Sequence, residues 1–202
     1  MTTLFQNIDG FLYKLEYEGI QTLIEHYFKK QNTPLKVLEI GAWKGKSTVM
    51  FLQTNSLLTI TSIEPFYGLP EQEAGSWQNI STKDEFLKNT EPYKDRLTLI
   101  GKASNDSSLH VDLQNKQFDI FFIDGNHSYA NVVNDIKLAL RYTKDDGLIL
   151  LDDFWINADK QSRFNDIATA VHELLMYKYK FLCLHRSVIV FQKNTNFKTY
   201  EK

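Results

Sequence analysis

The chain has 202 residues, 43% of them hydrophobic and 13% aromatic, with a net charge of −2. Such a length buries a sizeable core without staples, a lone cysteine (Cys183) excludes an internal disulfide and points to a reducing compartment, and the charge balance excludes the basic stripe that nucleic-acid binding requires. The opening MTTLFQNIDG has no basic segment leading into an apolar one, and no apolar run approaches the ~20 residues of a membrane span. The expectation is therefore no signal peptide, no membrane partner and a cytoplasmic location.

In chain order, Ile20, Leu23, Ile24, Tyr27 and Phe28 recur at helical spacing and predict a leading helix before Asn32-Thr33-Pro34. Residues 1–34 read as a helical extension, and a place for a homodimer contact; residues 35–202 read as the main domain. Five apolar runs follow, at 36–41, 58–65, 96–101, 118–125 and 147–154. Rich in Leu, Ile, Val and Phe with little polar alternation, they read as strands covered on both faces. Helices are predicted between them at 47–52, 84–87, 104–113 and around Val132, Ile136 and Leu140, with a further one carrying Ile167, Val171, Leu174 and Leu175. KFLCLHRSVIVFQK reads as two strands turning at Arg186-Ser187. Strand–helix alternation implies an α/β, doubly wound, mostly parallel Rossmann-like sheet with an antiparallel C-terminal hairpin. Ligands in that fold bind beyond the carboxyl ends of the strands.

At the first strand end, EIGAWKGKST admits three readings. Gly45-Lys46-Ser47 matches the end of a P-loop, which would make the protein a Mg-dependent nucleotide-binding phosphotransferase, but Gly41 lies one residue too close. A dinucleotide fingerprint would place Trp43 where a glycine lets the backbone approach a pyrophosphate. S-adenosylmethionine has no pyrophosphate and needs only a tight glycine turn, donors for a carboxylate and an acid for the ribose. Glu64 closes the second run about 20 residues past Gly45, the spacing of a ribose-binding acid.

Asp124 closes the fourth run, and Asp152 and Asp153 the fifth. Carboxylates gathered on one rim repel one another unless protons or a cation intervene, and such ligands suit Mg²⁺, Mn²⁺ or Ca²⁺. Adjacent strand residues point to opposite faces, so Asp152 and Asp153 can both ligate only where the strand leaves its pleat. His127, three residues past Asp124, is a candidate general base for a hydroxyl, or else a turn residue beside Ser128, a candidate helix cap. The long connection 66–86 holds Tyr67, Trp77 and Phe86, candidates to cover a cofactor or stack on a sugar, and Tyr13 and Tyr17 are similar.

VLEIGAWKGKSTV, ITSIEP, RLTLIGKAS, IDGNH and LLDDF stand in the order found in class I S-adenosylmethionine-dependent methyltransferases. More narrowly, the sequence resembles the metal-dependent O-methyltransferases of the catechol and macrolide-sugar (macrocin) types. The resemblance implies that Gly41, Ala42, Trp43, Gly45 and Ser47 surround the methionine end of the cofactor. By the same resemblance Glu39 holds its amino group through water, Glu64 grips the ribose and Ser104 meets the adenine. It also implies that Asp124, Asp152 and Asp153 hold the metal. The catechol enzyme has Asp-Asn at the fifth strand and a Lys at the position of His127, whereas Asp-Asp and His belong to the sugar-modifying type. The acceptor implied is a hydroxyl of a small molecule, such as a sugar. A cofactor-binding domain without catalysis remains the non-enzymatic alternative.

Overall fold

A computed structural model describes residues 4–10, 14–28, 34–67, 82–154 and 164–193. The chain divides into two compact units, Met1–Ala103 and Ser104–Lys202.

The first unit opens with a 3-10 turn, Leu4–Asn7, and helix α1, Lys14–Phe28. Ile20 and Ile24 of α1 are buried, as the four-residue spacing predicts. Strands β1 (Lys36–Ile40), β2 (Thr59–Ile63) and β3 (Leu97–Ile100) pair in parallel, in the order β3-β2-β1. The register aligns Ile40 with Ile63 and Ile63 with Ile100, so the three carboxyl ends come level. Helix α2 (Lys46–Thr54) follows β1, and α3 (Lys83–Thr90) precedes β3. Six consecutive residues of α2, Ser47 to Leu52, are buried.

In the second unit a single helical turn, α4 (Leu109–Asp112), stands where ten residues of helix are predicted. Asp106 Oδ1 accepts from both the amide and the hydroxyl of Ser108, at 2.8 and 2.6 Å. Such local side-chain bonds compete with the helical ladder, and they confine the helix to its apolar end at Leu109. Strands β4 (Phe118–Ile123) and β5 (Thr143–Leu151) are parallel, with Ile123 opposite Leu151. Helix α5 (Tyr129–Tyr142) connects them and buries Val132, Ile136 and Ala139. After α6 (Phe164–Val171), strands β6 (Lys180–His185) and β7 (Val188–Gln192) form the expected hairpin. Strand β7 pairs antiparallel with β5, giving the order β4-β5-β7-β6. Phe121, Phe122, Ile149 and Leu150 are completely buried, as unbroken apolar runs require of strands covered on both faces.

Candidate functional site

Gly41 turns the chain out of β1 at φ 89°, and Trp43 and Gly45 follow at φ 43° and 85°. The Gly45 amide donates to Ala42 O at 2.7 Å, closing a tight loop. Such backbone suits glycine and strains tryptophan, so something must hold Trp43. Glu64, just past β2, does so: Oε2 accepts from the Trp43 amide at 2.9 Å and Oε1 from the Phe66 amide at 2.8 Å. Burial pushes the Glu64 carboxyl above its ordinary range, and the amides of Trp43, Phe66 and Ala42 partly restore it. A carboxylate offers about four lone-pair sites, so three amide donors leave about one acceptor site open.

Glu39 lies on β1 with no exposed surface. Its oxygens accept from Ser47 Oγ at 2.5 Å, Thr48 Oγ1 at 2.6 Å and Ser62 Oγ at 2.7 Å. Burial raises its pKa and the three hydroxyls pull it back in part. By the same count about one acceptor site is left for a water that could meet an amino group.

The underside of the loop is gripped from α3. Thr82 Oγ1 donates to Trp43 O at 3.3 Å and Asn89 Nδ2 to Lys44 O at 2.9 Å. Ala42 packs with Phe66 and Phe86. A Cβ on Gly45 would sit 3.0 Å from Thr90 Cγ2 and 3.1 Å from Phe86 Cδ2. This glycine therefore admits α3 against the loop. Phe86 is fully buried in that contact, which removes it as a residue to stack on a sugar. Tyr67 is exposed, Tyr17 packs on Phe5 at 4.4 Å, and Trp77 and Tyr13 lie outside the described residues.

Two lysines tie the loop to the N-terminal segment. Lys44, 5% exposed, places Nζ 2.8 Å from Asp9 Oδ2, 3.0 Å from Glu85 Oε2 and 4.8 Å from the Trp43 ring centroid. Burial alone would depress the Lys44 pKa, but the two carboxylates more than offset it and leave it raised. Lys46 Nζ donates to Gly10 O at 2.9 Å. The lysine of the GKS triplet thus gives one of its donors to a backbone carbonyl.

In the second unit, Asp124 follows β4 directly, and β5 stops at Leu151. Asp152 and Asp153 lie beyond the pleat, and Asp153 turns into the left-handed region at φ 55°. The strand exit needed for both acids to face the rim is therefore present. Oxygens of Asp124 and Asp153 and a ring nitrogen of His127 lie within 4.8 Å of one another. His127 Nε2 is 3.1 Å from Asp153 Oδ2, while its Nδ1 is buried. An imidazole nitrogen facing a carboxylate oxygen at that distance needs a proton or a cation, because two lone pairs repel. Two hard carboxylates dominate this donor set, which fits Mg²⁺, Mn²⁺ or Ca²⁺.

Asp152 is engaged elsewhere: its Oδ1 accepts from Ser187 Oγ at 2.5 Å and from the Asp153 amide at 2.7 Å. With Asp124, Asn126 and His127 it lines a cleft floored by Ile123, Leu151 and Ile167. Ser128 makes no side-chain cap to α5. Asp166 Oδ2 accepts from the Tyr129 amide at 2.9 Å instead, and Asn126 Oδ1 from the Ser128 amide at 2.9 Å. Ser104 O accepts from Asn134 Nδ2 at 3.1 Å, and its hydroxyl bonds to Asp135. Among the remaining histidines, His110 and His172 pair with Tyr142 and Tyr177 at 2.8 and 3.1 Å.

Residues 38–154 match a family described as "Methyltransferase domain". The chain belongs to that family. It is 27% identical over 154 residues to an uncharacterised protein of Acanthamoeba polyphaga mimivirus, covering 74% of this chain. It spans 63% of that curated relative's length. A Staphylococcus aureus protein provisionally assigned as a caffeoyl-CoA O-methyltransferase superposes with TM-score 0.67 at 18% identity, over 94% of this chain and 88% of that one. The mycinamycin-pathway methyltransferase MycE, solved with Mg, SAH and mycinamycin VI, gives TM-score 0.64 at 17% identity, over 98% of this chain and 55% of that one. The shared fold is the α/β Rossmann-like methyltransferase fold, mostly parallel with antiparallel C-terminal strands. Among the described residues of this methyltransferase domain, no helix is long and apolar enough to cross a membrane. Sequence reasoning passed over Lys44 and Ser187, since neither a lysine in a glycine loop nor a serine in a hairpin turn carries its distant partner in its spacing.

Proposed function

We propose that the protein is an S-adenosylmethionine-dependent, divalent-metal-dependent O-methyltransferase acting on a hydroxyl of a small molecule, with a sugar or a natural product as the acceptor class. The observation that carries this reading is the meeting of Asp124, His127 and Asp153 donor atoms past the ends of β4 and β5. MycE, which shares the fold, was solved with Mg and SAH. When bound, S-adenosylmethionine supplies the methyl electrophile and a divalent cation makes a ligating hydroxyl more acidic.

In this reading Glu64 accepts from the ribose, and Glu39 orders the water that meets the amino group. Gly41, Ala42, Trp43, Gly45 and Ser47 enclose the methionine end, and Ser104 meets the adenine. Asp124 and Asp153 hold the cation, with Asp152 as the third carboxylate of the rim. His127 is the general base that takes the acceptor's proton. A C–O bond forms as the C–S bond breaks, so no covalent enzyme intermediate is needed, and the side chains align the partners and exclude water. The phosphotransferase alternative is weakened, because Lys46 of the GKS triplet already gives one of its donors to Gly10 O.

The test is methyl transfer from S-adenosylmethionine across a panel of sugar, phenolic and polyketide hydroxyls, with and without EDTA. Turnover should vanish with chelator and return with Mg²⁺ or Mn²⁺, and Asp124→Asn should lower kcat/KM about tenfold or more, at least ~1.4 kcal/mol of transition-state stabilisation. Undiminished turnover in EDTA would remove the metal. Cofactor binding with no turnover on any acceptor would favour a non-catalytic binding domain.

A further inference from the structure

The turn between β6 and β7 reaches the metal rim, and nothing in the proposed chemistry yet accounts for it. Ser187 is 4% exposed, although it sits in a two-residue hairpin turn where polar side chains ordinarily face water. Its hydroxyl donates to Asp152 Oδ1 at 2.5 Å, and its carbonyl accepts from the Phe154 amide at 2.8 Å. The segment 152–154 is therefore stitched to the hairpin on both sides of Asp153. Asp152 Oδ1 in turn accepts from the Asp153 amide at 2.7 Å, which fixes the peptide at which the backbone enters φ 55°. Asp153 then presents Oδ2 3.1 Å from His127 Nε2. The hairpin is registered on the same strand, with Leu151 opposite Ile189.

Resting on the metal-site reading above, we infer that Ser187 is a positioning residue for the cation. Its hydroxyl orients Asp152, Asp152 fixes the Asp153 peptide, and that bend brings the Asp153 carboxylate to Asp124 and His127. Aspartate tolerates left-handed backbone but pays more for it than glycine does, so without the hydroxyl the bend relaxes and the donor set spreads. The antiparallel hairpin is then a part of the metal site although it contributes no ligand.

The test is Mn²⁺ binding to the full chain, followed by the EPR signal of free Mn²⁺, in Ser187→Ala and in the size-matched pair Ser187→Thr and Ser187→Val. S-adenosylmethionine affinity, measured by calorimetry on the same samples, is the internal control. Ala and Val should bind Mn²⁺ about tenfold more weakly, Thr should match the parent, and cofactor affinity should stay within about twofold for all three. Parent-like Mn²⁺ binding in Ala and Val overturns the role of Ser187 while leaving the metal site standing. Equal weakening in Thr overturns it as well, since packing of the turn and not the hydroxyl would then be responsible. If the parent takes up no Mn²⁺, the metal reading fails and this inference fails with it.

Discussion

Asp135 is 1% exposed on α5, with Asn134 Nδ2 3.1 Å from its Oδ1 and the Ser104 hydroxyl as a second partner. Burial pushes its pKa from 3.8 up to about 6, and those two hydrogen bonds restrain the rise. The folded protein thus holds this proton more tightly than the unfolded chain. Its contribution to stability is complete below pH 3.8, falls as pH rises toward about 6, and stays lost above that. At ~1.36 kcal/mol per pKa unit the loss is on the order of 3 kcal/mol. Asp135→Asn, which cannot ionise, is expected to be the more stable protein in urea unfolding at pH 8, by about 1–3 kcal/mol. The difference should shrink as the pH is lowered toward 4, and a pH-independent difference would contradict the assignment. Nothing at the level of spacing marks Asp135 as buried, because an acid beside Asn134 on a helix reads equally well as a solvated face. The approach of Asp124 and Asp153 was legible because strand ends lie on one rim in this topology. The bond from Ser187 to Asp152 was not, because it depends on the antiparallel register of β7 on β5.

At the level of elements, the loop between β1 and α2 is held by pieces remote in sequence. Asp9 comes from the N-terminal segment, Glu64 from the end of β2, and Thr82, Glu85, Asn89 and Thr90 from α3 and the residue before it. Lys44 joins two of these anchors through one buried ammonium. In Lys44→Met, Asp9 and Glu85 remain exposed to water, so no buried charge is orphaned and the fold should lose only about 1 kcal/mol. If the same ~1 kcal/mol of loop order is withdrawn from cofactor binding, the dissociation constant for S-adenosylmethionine rises about fivefold. Calorimetric titration checks this, and an unchanged constant would show that the loop is held well enough without Lys44. The strands and most helices were legible from their apolar periodicity. The exception, the segment from Ser104 to Leu113, failed because Asp106 and Ser108 satisfy each other locally, a competition that hydrophobic spacing does not register.

For the molecule as a whole, the choice among nucleotide ligands turns on where two lysines go. A phosphate-binding loop needs its lysine free and its amides wrapped around an anion. Here Lys46 reaches Gly10 O, and burial lowers its pKa, with Asp9 and Glu16 opposing the shift. Titration with ATP and Mg²⁺ is therefore expected to give no saturable heat, against saturable binding of S-adenosylmethionine. The reverse result would return the GKS triplet to a phosphate role. One residue too few between Gly41 and Gly45 already disfavoured that role in the sequence, and the grip of the lysines could be seen only once the N-terminal segment was placed.

The left-handed turn at Asp153 also bears on which substitutions the rim accepts. Positive φ is tolerated by asparagine and aspartate and by few other side chains. An exchange of Asp for Asn at this position would therefore preserve the backbone while removing one unit of negative charge from the cluster. The charge of the rim is therefore adjustable at a position whose backbone need not refold.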